Sequence, residues 1–229
     1  MDRMIEPGEE CPIRVLAGKV ALEGNLCTPE NAKGIVLFAH GSGSSRHSPR
    51  NRYVAQVLRN AGLATLLFDL LTTDEEAIDI RSGQLRFDIG LLANRLTGAT
   101  DWLKQNADTR NLNVGYFGAS TGASAALVAA VERPDIVSAI VSRGGRPDLA
   151  ASALPHLKAP TLLIMGGRDF PVVAINRDAL GKLQVEKELV IIPDATHLFE
   201  EPGALDKVAQ LAANWFLSHL GWSRARGGS

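Results

Sequence analysis

Cysteine is almost missing from this chain. Two occur in 229 residues, Cys11 and Cys27, and their spacing suits neither a metal site nor a disulfide framework. Long apolar runs are missing too: none approaches the ~20 residues of a membrane-spanning helix. The opening MDRMIEPGEE is acidic and polar and does not read as a secretory signal. A soluble, cytoplasmic protein is therefore expected. Neither sign of charge is in excess. Lys and Arg number 24 and Asp and Glu 25, for a formal net charge of -1, and no basic run is dense. Nothing here attracts nucleic acid or an anionic membrane, and neither is expected as a partner. Repeats, linkers and low-complexity segments are also absent. With 45% hydrophobic residues the chain can bury one substantial core, so one domain over 1–229 is the default reading. Its last residues, about 222–229, read as a flexible tail.

What is present is an alternation of strands and helices. CPIRVLAGKVALEGNLCTP reads as a hairpin turning near Gly18 and Lys19. GIVLFAHG is apolar throughout, as a strand buried on both faces should be. Ser48 then suits an N-cap and Pro49 the first helical position, with Tyr53, Val54, Val57 and Leu58 on one helical face and Gly62 as the stop. LATLLFDL is a strand. LTTDEEAIDIRSGQ is polar, acidic and aperiodic, and reads as a surface loop. From Leu85 to Ala107, Leu92, Leu96, Ala99 and Leu103 recur at helical spacing. LNVGYFG, IVSAIVS, PTLLIMGG and KELVIIP are further strands, and TGASAALVAAVER is a helix stopped by Pro134. Another helix begins near Pro171. Leu205, Val208, Leu211, Ala212, Trp215 and Phe216 stripe the last one. The pattern predicts an α/β fold: a mostly parallel sheet covered by helices on both faces, with the hairpin antiparallel at one edge. Ligands of such sheets bind where the loops after the strands gather.

Those loops carry the reactive residue types. In GASTG, Ser120 sits between Gly118 and Gly122 where a strand becomes a helix. The glycines remove Cβ atoms from the tightest part of the bend, so the serine hydroxyl projects over the sheet edge beside the helix N-terminus. Asp169 follows the LIMGG strand and His197 follows VIIP, giving the order Ser, Asp, His of a nucleophile-elbow hydrolase. A serine hydroxyl needs a base within reach, and the base needs a group that holds its tautomer. His197 suits the first role and Asp169 the second. Asp194 and Glu200 are other loop acids near His197, and Asp169 could instead cap the helix before Pro171. Ser124 lies inside the helix and reads as packed. AHGSGSS supplies an oxyanion hole, with backbone N–H donors expected from Ser42 and Thr121. His40 reads as a brace of that loop, His47 as solvent-facing, and Asp69 as an acceptor for loop N–H groups. Arg143 and Arg146 flank a glycine pair after a strand. One of them can reach the active edge and pair with a substrate carboxylate, or fasten a loop by pairing with Asp148 or the acidic DEE segment.

AHGSGSS, GASTG, GGRD and ATHLF together resemble the α/β-hydrolase superfamily. The compact size and the lack of a cap insertion resemble its dienelactone-hydrolase-like branch. HGSGSSRHSPRNRYVA and VSRGGRPDLA are similar to bacterial hydrolases of that branch, some of which are fused to phosphoribosyltransferase domains. The resemblance implies an ester or related acyl hydrolase, with Ser120, Asp169 and His197 as the triad. Dienelactone hydrolases use a cysteine nucleophile where this elbow has serine, which favours carboxylic esters. The expected activity is cleavage of small esters through an acyl-enzyme, with no metal or organic cofactor. A lactone hydrolase or acyltransferase would use the same triad. Outside catalysis, the fold also serves as a ligand receptor or scaffold.

Overall fold

Apolar runs rather than alternation mark most strands from Gly34 onward, because the central ones are sealed on both faces by helices. In the computed structural model, which describes residues 8–221, Ile35–Ala39 (β3), Ala64–Phe68 (β4), Val114–Ala119 (β5) and Thr161–Gly166 (β7) are buried throughout. They join Glu10–Ala17 (β1), Val20–Cys27 (β2), Val137–Arg143 (β6) and Lys187–Ile192 (β8) in one eight-stranded sheet of order β1-β2-β4-β3-β5-β6-β7-β8. β1 and β2 form the expected hairpin, with Gly18 at φ +65 in its turn. β2 is also antiparallel to β4, and every later pairing is parallel. The tail expected at 222–229 lies outside the described residues. No described helix is long and apolar enough to cross a membrane.

Six α-helices cover the sheet among the described residues: Pro49–Asn60 (α1), Thr73–Ser82 (α2), Ile89–Gln105 (α3), Thr121–Glu132 (α4), Phe170–Lys182 (α5) and Ala204–Leu220 (α6). Two apolar cores result, one on each face. Leu92, Leu96 and Leu103, with Ala125, Ala126, Ala129 and Ala130 of α4, fill the first; Val54, Leu58, Val208, Ala212 and Phe216 fill the second. Helix α4 shows no narrow stripe because it is buried nearly all round. Its small Ala123, Ala125 and Ala126, all fully buried, let it lie close to the sheet.

Three expectations are corrected. The acidic segment after β4 is a helix, not a loop: α2 is held by a capping box in which Thr72 Oγ1 accepts from the Glu75 N–H and the Glu75 carboxylate accepts from the Thr72 N–H. It lacked an apolar period because Asp79 alone among its residues is buried. The following helix starts at Ile89 rather than Leu85, since Leu85–Phe87 form a 3₁₀ turn and Asp88 is the true N-cap. Tyr53 does not share the buried face of α1. It is exposed, and its hydroxyl donates to Asp206.

Candidate active site

The bend at Ser120 is where the chain is most tightly constrained. Ser120 takes φ 52 and ψ -120, a conformation that L residues rarely hold and that costs about 1–3 kcal/mol. A Cβ at Gly122 would stand 2.1 Å from the Ala39 carbonyl oxygen, and one at Gly118 would stand 2.4 Å from Ala123 Cα. Both glycines are thus required for strand, bend and helix to meet. Ser120 occupies the N-cap of α4, yet its side chain makes no capping bond. Its backbone is fixed instead by its N–H to the Arg143 carbonyl at 3.1 Å and its carbonyl to the Arg146 N–H at 3.3 Å. Ser124, the nearby alternative, is fully buried, and its hydroxyl donates to the Arg146 carbonyl at 2.6 Å.

The other two candidates of the triad come together across the β7 and β8 loops. His197 Nδ1 and Asp169 Oδ2 lie 2.6 Å apart. A carboxylate only accepts, so Nδ1 carries the proton and Nε2 is left as the basic nitrogen. Asp169 is the N-cap of α5 and makes no side-chain bond to that helix. The other loop acids are engaged elsewhere: Asp194 with Arg168 at 3.2 Å and Glu200 with Arg50 at 3.1 Å. The ring of His197 lies over Gly144, where an added Cβ would stand 3.3 Å from both Nδ1 and Cε1. Gly144 follows Arg143, the residue that accepts the Ser120 N–H, so the histidine lies at the nucleophile's bend. Asp194 and Phe199, at φ 61 and 56, kink the chain on either side of His197.

The loop after β3 closes the site. Gly41 stands against the elbow, with 3.1 Å between an added Cβ and Ser120 Cβ. His40 Nε2 accepts the Leu70 N–H at 3.1 Å, which leaves the ring proton on Nδ1 to be donated to the Gly41 carbonyl at 3.0 Å. Burial holds the His40 pKa below its ordinary value, and the neutral ring ties the β3 loop to the β4 loop. Asp69 accepts the Arg46 N–H at 2.7 Å and pairs with its guanidinium; His47 is exposed. Thr121, as the first helical residue, has an N–H with no acceptor in its own helix. The Ser42 N–H donates to Thr121 Oγ1 at 2.9 Å, a contact that sequence reasoning missed because the residues are 79 positions apart. Beyond this loop lies a cavity of about 180 Å³, with Leu70, Leu71, Ile80 and Leu92 among its walls.

The two arginines after β6 differ. Arg146 pairs through both ends of its guanidinium with Asp148, at 2.9 and 2.7 Å. Arg143 is 8% exposed, and its Nε and Nη1 have no hydrogen-bond partner. Burial, with a smaller contribution from the nearby Arg50 charge, pushes its pKa down to about 10. Two of the acids considered for it have other partners: Asp148 pairs with Arg146, and Glu75 of the DEE segment with Arg95. Its carbonyl accepts the Ser120 N–H at the elbow.

The family profile of the dienelactone hydrolases matches residues 22–222. The chain belongs to the dienelactone hydrolase family. It is 70% identical to a protein from Anabaena variabilis whose crystal structure is described as that of dienelactone hydrolase. The TM-score is 0.92, over 93% of this chain and 98% of that one. The esterase Est1E from Butyrivibrio proteoclasticus, 15% identical, shares the fold with a TM-score of 0.76 over 90% of this chain and 98% of that one. A Mycobacterium tuberculosis protein provisionally named a phosphoribosyl transferase is 58% identical over 208 residues. Those residues make up 91% of this chain and 46% of the relative. This member of the dienelactone hydrolase family thus spans about half the length of that curated relative. Its sheet order, leading hairpin and covering helices are those of the α/β-hydrolase fold.

Proposed function

We propose that this protein is a serine hydrolase of small carboxylic esters, working through an acyl-enzyme. The observation that carries the reading is the 2.6 Å bond from His197 Nδ1 to Asp169, made beside an elbow serine whose side chain does not cap its helix. His197 Nε2 takes the Ser120 proton as Oγ bonds to the acyl carbon, and the carbonyl electron pair moves onto oxygen. Ser42 and Thr121 hold that oxyanion. The intermediate collapses with loss of the alcohol, which His197 protonates, and a water activated by His197 then releases the acid. The cavity beyond Gly41 takes the acyl group, and its volume of about 180 Å³ favours short chains. Family membership and the 70% identical relative favour a lactone as a second substrate class, opened by the same steps. The test is a fluorophosphonate probe with mass mapping of the adduct, together with turnover across acyl lengths. Labelling at Ser120 and a preference for short acyl esters are expected. Label at Ser124, or best activity on emulsified long-chain triglyceride, would overturn the reading.

A further inference from the structure

Threonines 97, 100, 109 and 161 share one habit. Each donates its hydroxyl proton to a backbone carbonyl, of Asn94, Leu96, Leu103 and Ala159 respectively, at 2.8–3.0 Å. Thr121 does the reverse. Its Oγ1 accepts, taking the Ser42 N–H at 2.9 Å. A hydroxyl that accepts in this way keeps its own proton to give, and among the described residues that proton has no acceptor. Thr121 is 3% exposed, so water offers little substitute. An uncommitted donor in a desolvated place is what electrostatic stabilisation of an oxyanion requires.

We infer that the Thr121 hydroxyl is a catalytic residue: it donates a hydrogen bond to the oxyanion and carries to it the polarisation of the Ser42 N–H. The inference rests on the serine-hydrolase reading. Three features of the molecule support it. Thr121 follows Ser120 directly, so its backbone N–H and its hydroxyl leave the same residue at the start of α4. The Ser42 N–H is already committed to Oγ1, so it reaches substrate oxygen through that hydroxyl rather than alone. A hydroxyl that accepts one bond becomes a stronger donor in the next, because each bond polarises its neighbour. The threonine proton is shared and never transferred, so the bond-making at Ser120 and His197 is unchanged. The arrangement also removes slack: Ser42 is exposed, and tying its N–H to a buried side chain fixes the loop before substrate arrives.

Three variants test this on a short-chain ester: Thr121→Val, which keeps shape and loses both the donor and the acceptor of the Ser42 N–H; Thr121→Ser, which keeps both; and Thr121→Ala. Removing one oxyanion donor typically costs about 10²-fold in kcat. Thr121→Val and Thr121→Ala are expected to lose about that much in kcat, with KM and melting temperature close to wild type, while Thr121→Ser retains most of the turnover. A trifluoromethyl ketone, whose serine adduct leaves an alkoxide in the same place, should lose affinity for the Val variant by a similar factor. Turnover of Thr121→Val or Thr121→Ala at or above wild type would overturn the inference and make the hydroxyl a plug. Equal losses in the Ser and Val variants would overturn it in favour of packing. If the wild type hydrolyses no ester and takes no phosphonate at Ser120, both readings fall together. If it does both and Thr121→Val is unimpaired, only the role of the hydroxyl falls.

Discussion

Five helices among the described residues begin at a residue with a side-chain oxygen, and they divide into two groups. In α1, α2 and α3 the oxygens of Ser48, Thr72 and Asp88 accept from the backbone N–H groups of Asn51, Glu75 and Leu91. In α4 and α5, Ser120 and Asp169 hold the same position and make no such bond. A capping side chain typically contributes about 1 kcal/mol, so both helices forgo a stabilisation that the others take. The two uncapped starts lie at one edge of the sheet, where Ser120, Asp194 and Phe199 also hold positive φ. The cap stabilisation is forgone there, and strained backbone of this kind gathers at functional sites. The three capped starts use the same residue types for architecture alone.

The sharpest way to break this division is to exchange the side chains that do not cap. Ser120→Ala removes no cap and releases no ladder bond, so the fold and melting temperature should hold. Turnover should fall by about 10⁶-fold, as it does when a triad serine is lost elsewhere. Asp169→Asn leaves the N-cap shape in place but favours the wrong tautomer of His197, and a loss of about 10⁴-fold is expected. Steady-state kinetics and melting curves on both variants decide the matter. Full activity in Asp169→Asn, with a lowered melting temperature, would make Asp169 a cap like Asp88.

The loop histidine His40 belongs with the architecture, and pH tests its role. His40 is half-buried, and its pKa is held down chiefly by desolvation against the opposing Gly41 carbonyl bond and the Asp69 and Glu76 charges. The folded protein therefore resists a proton that the unfolded chain accepts near pH 6.5. Stability from this group is complete above that pH and declines as pH falls below it, by at most about 1.4 kcal/mol per pH unit. Melting temperatures between pH 7.5 and 5.5 should show the decline in the wild type and a shallower slope in His40→Gln. Identical slopes would remove His40 from the account.

Most of the fold was legible because its signals are local. Unbroken apolar runs such as IVLFA mark strands buried on both faces, and Ser48-Pro49 marks the start of α1. Helix α2 was missed because tertiary packing asks little of it: one buried side chain makes no period, although Thr72 and Glu75 spelled out the capping box. The elbow and the chain order of Ser120, Asp169 and His197 could be read from turn chemistry. Two features could not be. The bond from Ser42 to Thr121 depends on how β3 and β5 pair across 79 residues. The burial of Arg143 depends on what packs over the end of β6, and an arginine's prior is to reach water.

The smallest effect tests the other half of the comparison. Asp88 and Asp169 are the same residue at the same helical position, one bonded to the Leu91 N–H at 2.9 Å and the other to His197 at 2.6 Å. Asp88→Ala frees an N–H at the start of α3 and removes a negative charge from the positive end of the helix. A loss of about 1 kcal/mol follows, or roughly 2–4 °C in melting temperature for a chain of this size. Turnover should change little, since α3 packs on the face of the sheet and meets the proposed site only through Leu92 in the cavity wall. Asp88→Asn, which keeps an acceptor, should recover most of the lost stability. The two aspartates then give opposite results under parallel changes: at position 88 stability moves and kcat does not, and at position 169 kcat moves and stability does not. If Asp88→Ala left the melting temperature untouched, the capping bond would contribute nothing, and side-chain use at helix starts could no longer separate architecture from chemistry in this protein.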